Sequence, residues 1–423
     1  MYIEEFKHYF TLKRIFYPYK RNVYENVNPT LDLFTQNPRG MKMDRDTCTI
    51  LLHKVLSFYD LPGEIENVRQ CTNGHINCTY HVNLKKPDGT KDQLIIQKIN
   101  SYVFKDPAKV MENIATIEEH VKNKISHGEC GIISFLRSKD GKNYIELDGE
   151  YWRICPYVPD SVAFDTVEDS EVLYSAGYAF GKFQELLSDI PMDKLHITIP
   201  DFHNTRKRLD DLEKMADLDP HGRAKDVQEE LAFFAKYRDL ATKICDMHDK
   251  GELPLRVTHN DTKYNNILMH RETLEPLCVI DLDTVMPGFS MHDFGDAIRF
   301  AANTAPEDET DLSKVSLNLE HFKQFARGYM AASKNLTKNE IDTMALGAVT
   351  MTIEVASRFL LDHINGDKYF KIHRDNHNLD RARCQIRLAE DMIAKLDEMN
   401  RIVYDSLPVN CDLQNEAAPV STM

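Results

Sequence analysis

The stretch from Thr258 to Phe300, THNDTKYNNILMHRETLEPLCVIDLDTVMPGFSMHDFGDAIRF, decides the reading of the fold. It holds His259-Asn260-Asp261, with Asn266 five positions after the aspartate. A short apolar piece, Ile267-Leu268-Met269, leads into a polar turn. Leu277-Cys278-Val279-Ile280 then delivers Asp281 at its end, and Asp283 follows. Phosphoryl transfer needs a carboxylate to orient and accept the proton of an attacking hydroxyl, and oxygen ligands for a metal beside the phosphates. A loop that ends five residues after an aspartate can turn its asparagine back toward the phosphates. A following hairpin can bring a second carboxylate to the same place. Asp261 is therefore the candidate base, and Asn266 and Asp281 are the candidate magnesium ligands. Magnesium takes oxygen donors and keeps several waters, so two protein ligands suffice. His259 is read as a support of the loop through hydrogen bonds.

The order H-x-D-x-x-x-x-N followed by I-D resembles the kinase-like phosphotransferases that include the aminoglycoside and choline kinases. The literal Asp293-Phe294-Gly295 looks like the metal motif of protein kinases. It lies farther from Asp261 than Asp281 does, and Asp281 ends an apolar strand. Asp293 and Asp296 are assigned instead to the start of the next helix, where carboxylates suit the positive end of the dipole. The resemblance implies an α+β, bilobal protein-kinase-like fold. Its small lobe is an antiparallel β-sheet with one main helix, and its larger lobe is mainly helical.

Composition sets outer limits. The 423 residues, 42% of them hydrophobic, are ample for a core in one large or two fused domains. The net charge of −15 provides no basic face for nucleic acid. The longest apolar run, Met344 to Ile353, is too short to span a bilayer. The N-terminus lacks the continuous apolar core of a secretory signal. Nine cysteines are dispersed with no Cys-x-x-Cys pair, which fits reduced thiols and a cytoplasmic location rather than a disulfide or zinc framework.

Along the chain, residues 1–42 form an N-terminal extension without sustained periodicity, interrupted by Pro29 and Pro38. Residues 43–157 form the nucleotide-binding lobe. A helix from Asp46 to Tyr59 precedes strands over Ile65–Gln70, Asn77–Leu84 and Gln93–Ile99. The loop containing Gly74 lies between the first two strands, where a glycine can let backbone amides approach phosphates. Lys98, at the end of the third strand, could reach the nucleotide phosphates. Glu112 or Glu118, on a helix from Pro107 to Lys124, would orient it, as in kinase nucleotide sites. Further strand signals lie at 132–136 and 144–147. Tyr157 falls in the lobe connection, whose backbone would hold an adenine. Residues 158–405 form the catalytic and substrate lobe. Its helices are expected at 171–187, 202–216, 227–249, 319–333, 338–363 and 379–403. Residues 406–423 read as a disordered tail.

Several stretches narrow the resemblance. They are Asn73-Gly74-His75-Ile76-Asn77, Gln97-Lys98-Ile99-Asn100, the run Val279 to Gly288, the run Asp293 to Phe300, Arg358-Phe359-Leu360 and Gly366-Asp367-Lys368-Tyr369-Phe370. Together, over roughly residues 44–403, they resemble the N-acetylhexosamine 1-kinase family. This implies ATP- and Mg2+-dependent phosphorylation of the anomeric hydroxyl of N-acetylglucosamine or N-acetylgalactosamine. It also implies that His75, Phe300, Arg358 and Tyr369 contact the sugar. Read from the residues alone, Arg358 sits among apolar helix positions and could equally pair with Glu354, four residues earlier. The same chemistry on an aminoglycoside, choline, homoserine or another sugar is the nearest alternative; a non-catalytic nucleotide-binding scaffold is a distant one. No aromatic cage for a quaternary ammonium is evident. The expected partners are the small-molecule sugar and ATP, with no nucleic acid and no membrane.

Overall fold

A computed structural model describes residues 45–71, 76–126, 128–165, 167 and 169–408. The chain runs α1 (Arg45–Leu56), β1 (Glu64–Cys71), β2 (Cys78–Lys85), β3 (Lys91–Lys98), α2 (Pro107–Val121), β4 (Gly131–Ile132), β5 (Ile145–Leu147), β6 (Glu150–Pro156) and β7 (Ser161–Val162). It continues with α3 (Ser170–Leu187), α4 (Thr205–Leu218), α5 (Gln228–Asp249), β8 (Arg256–Thr258), β9 (Ile267–His270), β10 (Pro276–Val279) and β11 (Met286–Gly288). The last five elements are α6 (Ser290–Ala301), α7 (Leu319–Ala332), α8 (Lys338–Ile364), α9 (His377–Ala394) and α10 (Leu396–Asp405). Two compact units result. The first takes Met1–Pro107, Ile133–Thr166 and Leu268–Cys278; the second takes Ala108–Ile132, Val167–Ile267 and Val279–Met423. Neither is continuous in sequence.

The first unit is built on an antiparallel sheet in the order β1-β2-β3-β6-β5. Period-two alternation puts Tyr80, Val82 and Leu84 of β2 on the same buried side as Leu94 and Ile96 of β3. These residues join Leu52 and Val55 of α1 and Trp152 and Ile154 of β6 in one apolar cluster. Each such side chain contributes roughly 1.5–3 kcal/mol by leaving water. Trp152, the only tryptophan, stacks on Tyr80 with ring centroids 6.4 Å apart. The buried Arg153 is satisfied by Gln97 at 2.9 Å and by the Phe135 ring at 4.6 Å.

In the second unit α3 packs on α7, and α6 and α9 both pack on α8. The contact of α6 with α8 depends on two glycines. A Cβ on Gly347 would overlap the carbonyl of Met291, and one on Gly295 would overlap the carbonyl of Gly347. α8 starts with a capping box between Thr337 and Glu340. Its 27 residues correct the expectation that no segment is long and apolar enough to cross a bilayer. By length and composition this helix is, but 89% of its apolar window is buried, so its apolarity serves the core. The helix expected over 379–403 is in fact two. At Lys395 the amide turns back to the carbonyls of Asp391 and Met392, and the ammonium reaches Leu317 O at 3.0 Å and Asp391 at 2.7 Å. Among the described residues no disulfide joins the eight cysteines to one another. The expected extension lies outside the described residues, as does the tail beyond Pro408.

Candidate active site

The His259–Asp261 loop leaves β8, which pairs antiparallel with β11 and sets Thr258 opposite Met286. Gly288 of β11 lies so close that a Cβ there would overlap Thr258 Oγ1. Asn260 adopts a left-handed conformation, φ 63°, and every polar group it carries is used. Its N–H donates to Asp293 Oδ1 at 2.8 Å. Its side-chain amide donates to Thr284 O at 2.8 Å and Thr258 O at 3.3 Å, and its Oδ1 accepts from Thr258 Oγ1 at 3.0 Å. Its carbonyl accepts from His203 Nε2 at 3.1 Å. His259 is fully buried, with Phe180 and Phe183 edge-on to its ring. Its Nε2 donates to Ile280 O at 2.9 Å, so its Nδ1 is the atom that accepts from Asp261 N at 3.3 Å. It braces the loop and ties it to the residue before Asp281.

Asp293 holds the same loop from below. Its carboxylate accepts from His259 N at 2.7 Å, Asn260 N at 2.8 Å and Gln184 Nε2 at 3.1 Å, and it is buried. It lies in the first turn of α6, as expected, yet its oxygens serve the His259–Asp261 loop and not the helix end.

Asp261 keeps a quarter of its side chain exposed. Lys263 Nζ lies 3.2 Å from Oδ1, and Asn266 Nδ2 donates to Oδ2 at 3.2 Å and to the Asp261 carbonyl at 2.8 Å. Burial opposes ionisation, but Lys263, His259 and Asn266 outweigh it, and the carboxyl is held below its usual range. Lys263 in turn is raised, first by Asp261. It also lies 5.1 Å from the centre of the Phe300 ring, whose neighbour Arg299 stacks at 4.0 Å. Phe300 is thereby linked to Asp261 through Lys263. The only sequence signal for Lys263 is its place two positions after Asp261.

Asn266 closes a 3-10 turn, and its carbonyl accepts from Ile280 N at 2.9 Å. That bond sets Asn266 and Asp281 on adjoining strands of chain. Asp281 is exposed and left-handed, φ 59°; Asp283, two residues on, is buried. With the Asn266 amide nitrogen turned to Asp261, its Oδ1 is the atom that could meet a metal. An amide oxygen and a carboxylate are hard donors of the kind magnesium takes. No group of three or more His, Cys, Asp or Glu side chains placed to hold a metal ion occurs among the described residues.

Arg358 lies between Phe202 at 5.6 Å and Phe370 at 5.7 Å, centroid to guanidinium carbon. The alternative pairing with Glu354 is not made. Both Glu354 oxygens are engaged elsewhere, Oε1 by His203 Nδ1 and Oε2 by Thr205 Oγ1, each at 2.7 Å. Burial works against the His203 charge, but Glu354 keeps the imidazole above its usual range; Glu354 itself, despite burial, is held at about 2 by His203. Tyr369 is exposed and stands edge-on to Phe370. The turn that carries both is gathered by Asp362, which accepts from the N–H groups of Lys368, Tyr369 and Phe370, each at 2.9 Å. His75 lies outside the described residues.

In the first unit Lys98 Nζ pairs with Glu150 at 3.2 Å. In the second Glu112 pairs with His196 at 2.8 Å, so each has a partner inside its own unit. Tyr157 N donates to Gln93 O at 2.9 Å, and its ring lies 4.9 Å from that of His81.

Comparison with known proteins follows the same line. The model of the phosphotransferase enzyme family, APH, matches residues 68–323. A microcompartment-associated aminopropanol kinase superposes with TM-score 0.57 at 14% identity, over 83% of this chain and 98% of that one. An aminoglycoside phosphotransferase from Alicyclobacillus acidocaldarius gives 0.52 at 15% identity, over 84% and 96%. The GDP and kanamycin complex of APH(2")-IIia gives 0.51 at 13%, over 83% and 98%. At such identities the likeness is one of fold, the α+β kinase-like fold.

Proposed function

Since this chain belongs to the phosphotransferase enzyme family, we propose that it transfers the γ-phosphoryl group of ATP to the anomeric hydroxyl of N-acetylglucosamine or N-acetylgalactosamine, giving the sugar 1-phosphate and ADP. The observation that carries the transfer chemistry is the Asp261 carboxylate, ionised and aimed by Lys263 and Asn266. It orients the sugar hydroxyl, accepts its proton as the phosphorus–oxygen bond forms, and later releases that proton to solvent. Lys263 balances the charge that gathers beside Asp261. Asn266 and Asp281 would hold Mg2+, which supplies neutralisation of the phosphate oxygens. Lys98 would meet the phosphates, and the backbone near Tyr157 would hold the adenine. His75, Phe300, Arg358 and Tyr369 are the proposed sugar contacts.

The choice of a hydroxylated, uncharged acceptor is supported by Arg358. Its guanidinium already lies over the rings of Phe202 and Phe370, the surfaces a choline-type ammonium would use. It offers donors to sugar oxygens and repels a second cation. The test is ADP release with a panel of free sugars, choline, ethanolamine, homoserine and aminoglycosides, followed by NMR of the product. Phosphate on C1 of an N-acetylhexosamine is expected, with Asp261→Asn lowering kcat by roughly 10²–10⁴-fold. Turnover confined to amino alcohols, or phosphate on another hydroxyl, overturns the reading.

A further inference from the structure

Behind the catalytic loop lies an ionic pair that the transfer chemistry does not use. The side chains of His203 and Glu354 are 9% and 0% exposed, and they meet at 2.7 Å. Such a pair is costly to bury, and apolar residues of the same volume commonly stabilise a core as well or better. Its other contacts explain why it is here. His203 turns its second nitrogen, Nε2, to the carbonyl of Asn260 at 3.1 Å. That carbonyl belongs to the peptide joining Asn260 to Asp261, and the N–H of the same peptide donates to His259 Nδ1 at 3.3 Å. The peptide is therefore gripped from both edges. It needs to be, because Asn260 is left-handed at φ 63°, a conformation that costs a non-glycine residue energy and persists only when its surroundings impose it. Rotation of this peptide would swing the Asp261 Cα–Cβ bond and with it the carboxylate.

We propose that His203 and Glu354 are positioning residues that lock the Asn260–Asp261 peptide and so aim Asp261 at the acceptor hydroxyl. The proposal rests on the reading of Asp261 as the base. Glu354 does the first part. It accepts from His203 Nδ1 and favours the imidazolium, whose Nε2 then also donates, to the Asn260 carbonyl; Thr205 Oγ1 at 2.7 Å fixes the other carboxylate oxygen. The pair also sits beside the proposed acceptor arginine. Phe202, next to His203 in sequence, lies under Arg358, and Glu354 is one turn before Arg358 on α8. The short segment Phe202-His203 thus touches the acceptor arginine with one side chain and the base's own peptide with the next.

The test uses the full chain with His203→Ala, His203→Gln and Glu354→Gln. It reads kcat, KM for ATP, melting temperature and amide hydrogen exchange of the 258–264 segment. Loss of aim by a fraction of an ångström to an ångström costs up to about 10²-fold in rate. His203→Ala is expected to lower kcat by about 10–100-fold. KM for ATP should stay near the parent value, and exchange should quicken in 258–264 more than in α3 or α7. His203→Gln, which restores an N–H for the Asn260 carbonyl, should recover part of kcat. Unchanged kcat and unchanged exchange in 258–264, with only a lower melting temperature, overturn the proposal and leave a core ion pair. If His203→Ala does not fold, the near-isosteric Glu354→Gln decides by the same comparison. If the parent chain ignores N-acetylhexosamines, the sugar reading fails, while exchange in 258–264 and kcat on whichever acceptor the panel reveals still decide the positioning role. If Asp261→Asn keeps full turnover, the base assignment fails, and the positioning role with it.

Discussion

Asp281 and Asp293 both follow Asp261, the proposed base, and burial separates them. Asp293 is 2% exposed and accepts three hydrogen bonds, two from the backbone of the His259–Asp261 loop. Removing it would orphan those donors at about 1–3 kcal/mol each. Asp293→Ala should therefore lower the melting temperature and activity together. Asp281 is exposed, so Asp281→Asn should abolish turnover at every accessible magnesium concentration with little thermal change. Paired melting curves and magnesium titrations check this, and the opposite pattern would exchange the two roles. His292 gives a pH prediction. It is 2% exposed, its Nε2 has no hydrogen-bond partner among the described residues, and burial pushes its pKa down to about 4. A histidine depressed in the fold contributes stability that is full above its unfolded value near 6.5 and is lost as pH falls toward 4. The two charged neighbours do not mimic this. The Glu354 contribution is lost only below its unfolded range, on the way to about 2, and the raised His203 loses its contribution on the alkaline side. Denaturant unfolding should lose up to about 3 kcal/mol between pH 7 and pH 4. His292→Gln should flatten that slope; an equal slope in the variant would assign it to other groups. That Asp261, Asn266 and Asp281 lie near one another was legible because their geometry is local, a loop and the chain that returns to it. His203 was not, since 58 residues separate it from Asp261 and only tertiary packing joins them.

At the scale of elements, periodicity revealed the helices because each buries one face, and it erred where one residue intervenes. The break between α9 and α10 hangs on Lys395, a good helix former whose ammonium is drawn to Leu317 O and Asp391. α8 is the informative case. Its sequence offered two readings of Arg358, and the packing of His203 and Thr205 on Glu354 removes the core-salt-bridge one. Arg358→Ala should then leave the melting temperature nearly unchanged. It should cost the acceptor roughly 1–3 kcal/mol in kcat/KM, since substrate oxygens lose their donor, while KM for ATP holds. Normal acceptor kinetics with a lower melting temperature would return Arg358 to a structural role.

The whole molecule is discontinuous in a way that no local pattern announces. The Leu268–Cys278 hairpin belongs to the first unit, while Ile267 before it and Val279 after it belong to the second. The alternation of β-residues and the helical periods foretold a sheet part and a helical part, but unit membership is decided by packing across distant segments. The first 40 residues carry no periodic core pattern. A chain beginning at Met41 is accordingly expected to match the full chain in melting temperature and turnover; a large fall in either would show that the extension packs on the body. The apolar α8 carries a last consequence, for synthesis. α9, which covers part of it, lies after it in the chain, so α8 cannot be fully shielded until that later helix has left the ribosome. A message cut short after Ile364 would hand the cell a 27-residue helix that length and composition alone cannot tell from a membrane anchor. Chaperones, proteases and the insertion machinery would compete for it, so a late nonsense mutation should be felt as a quality-control burden as well as a missing activity.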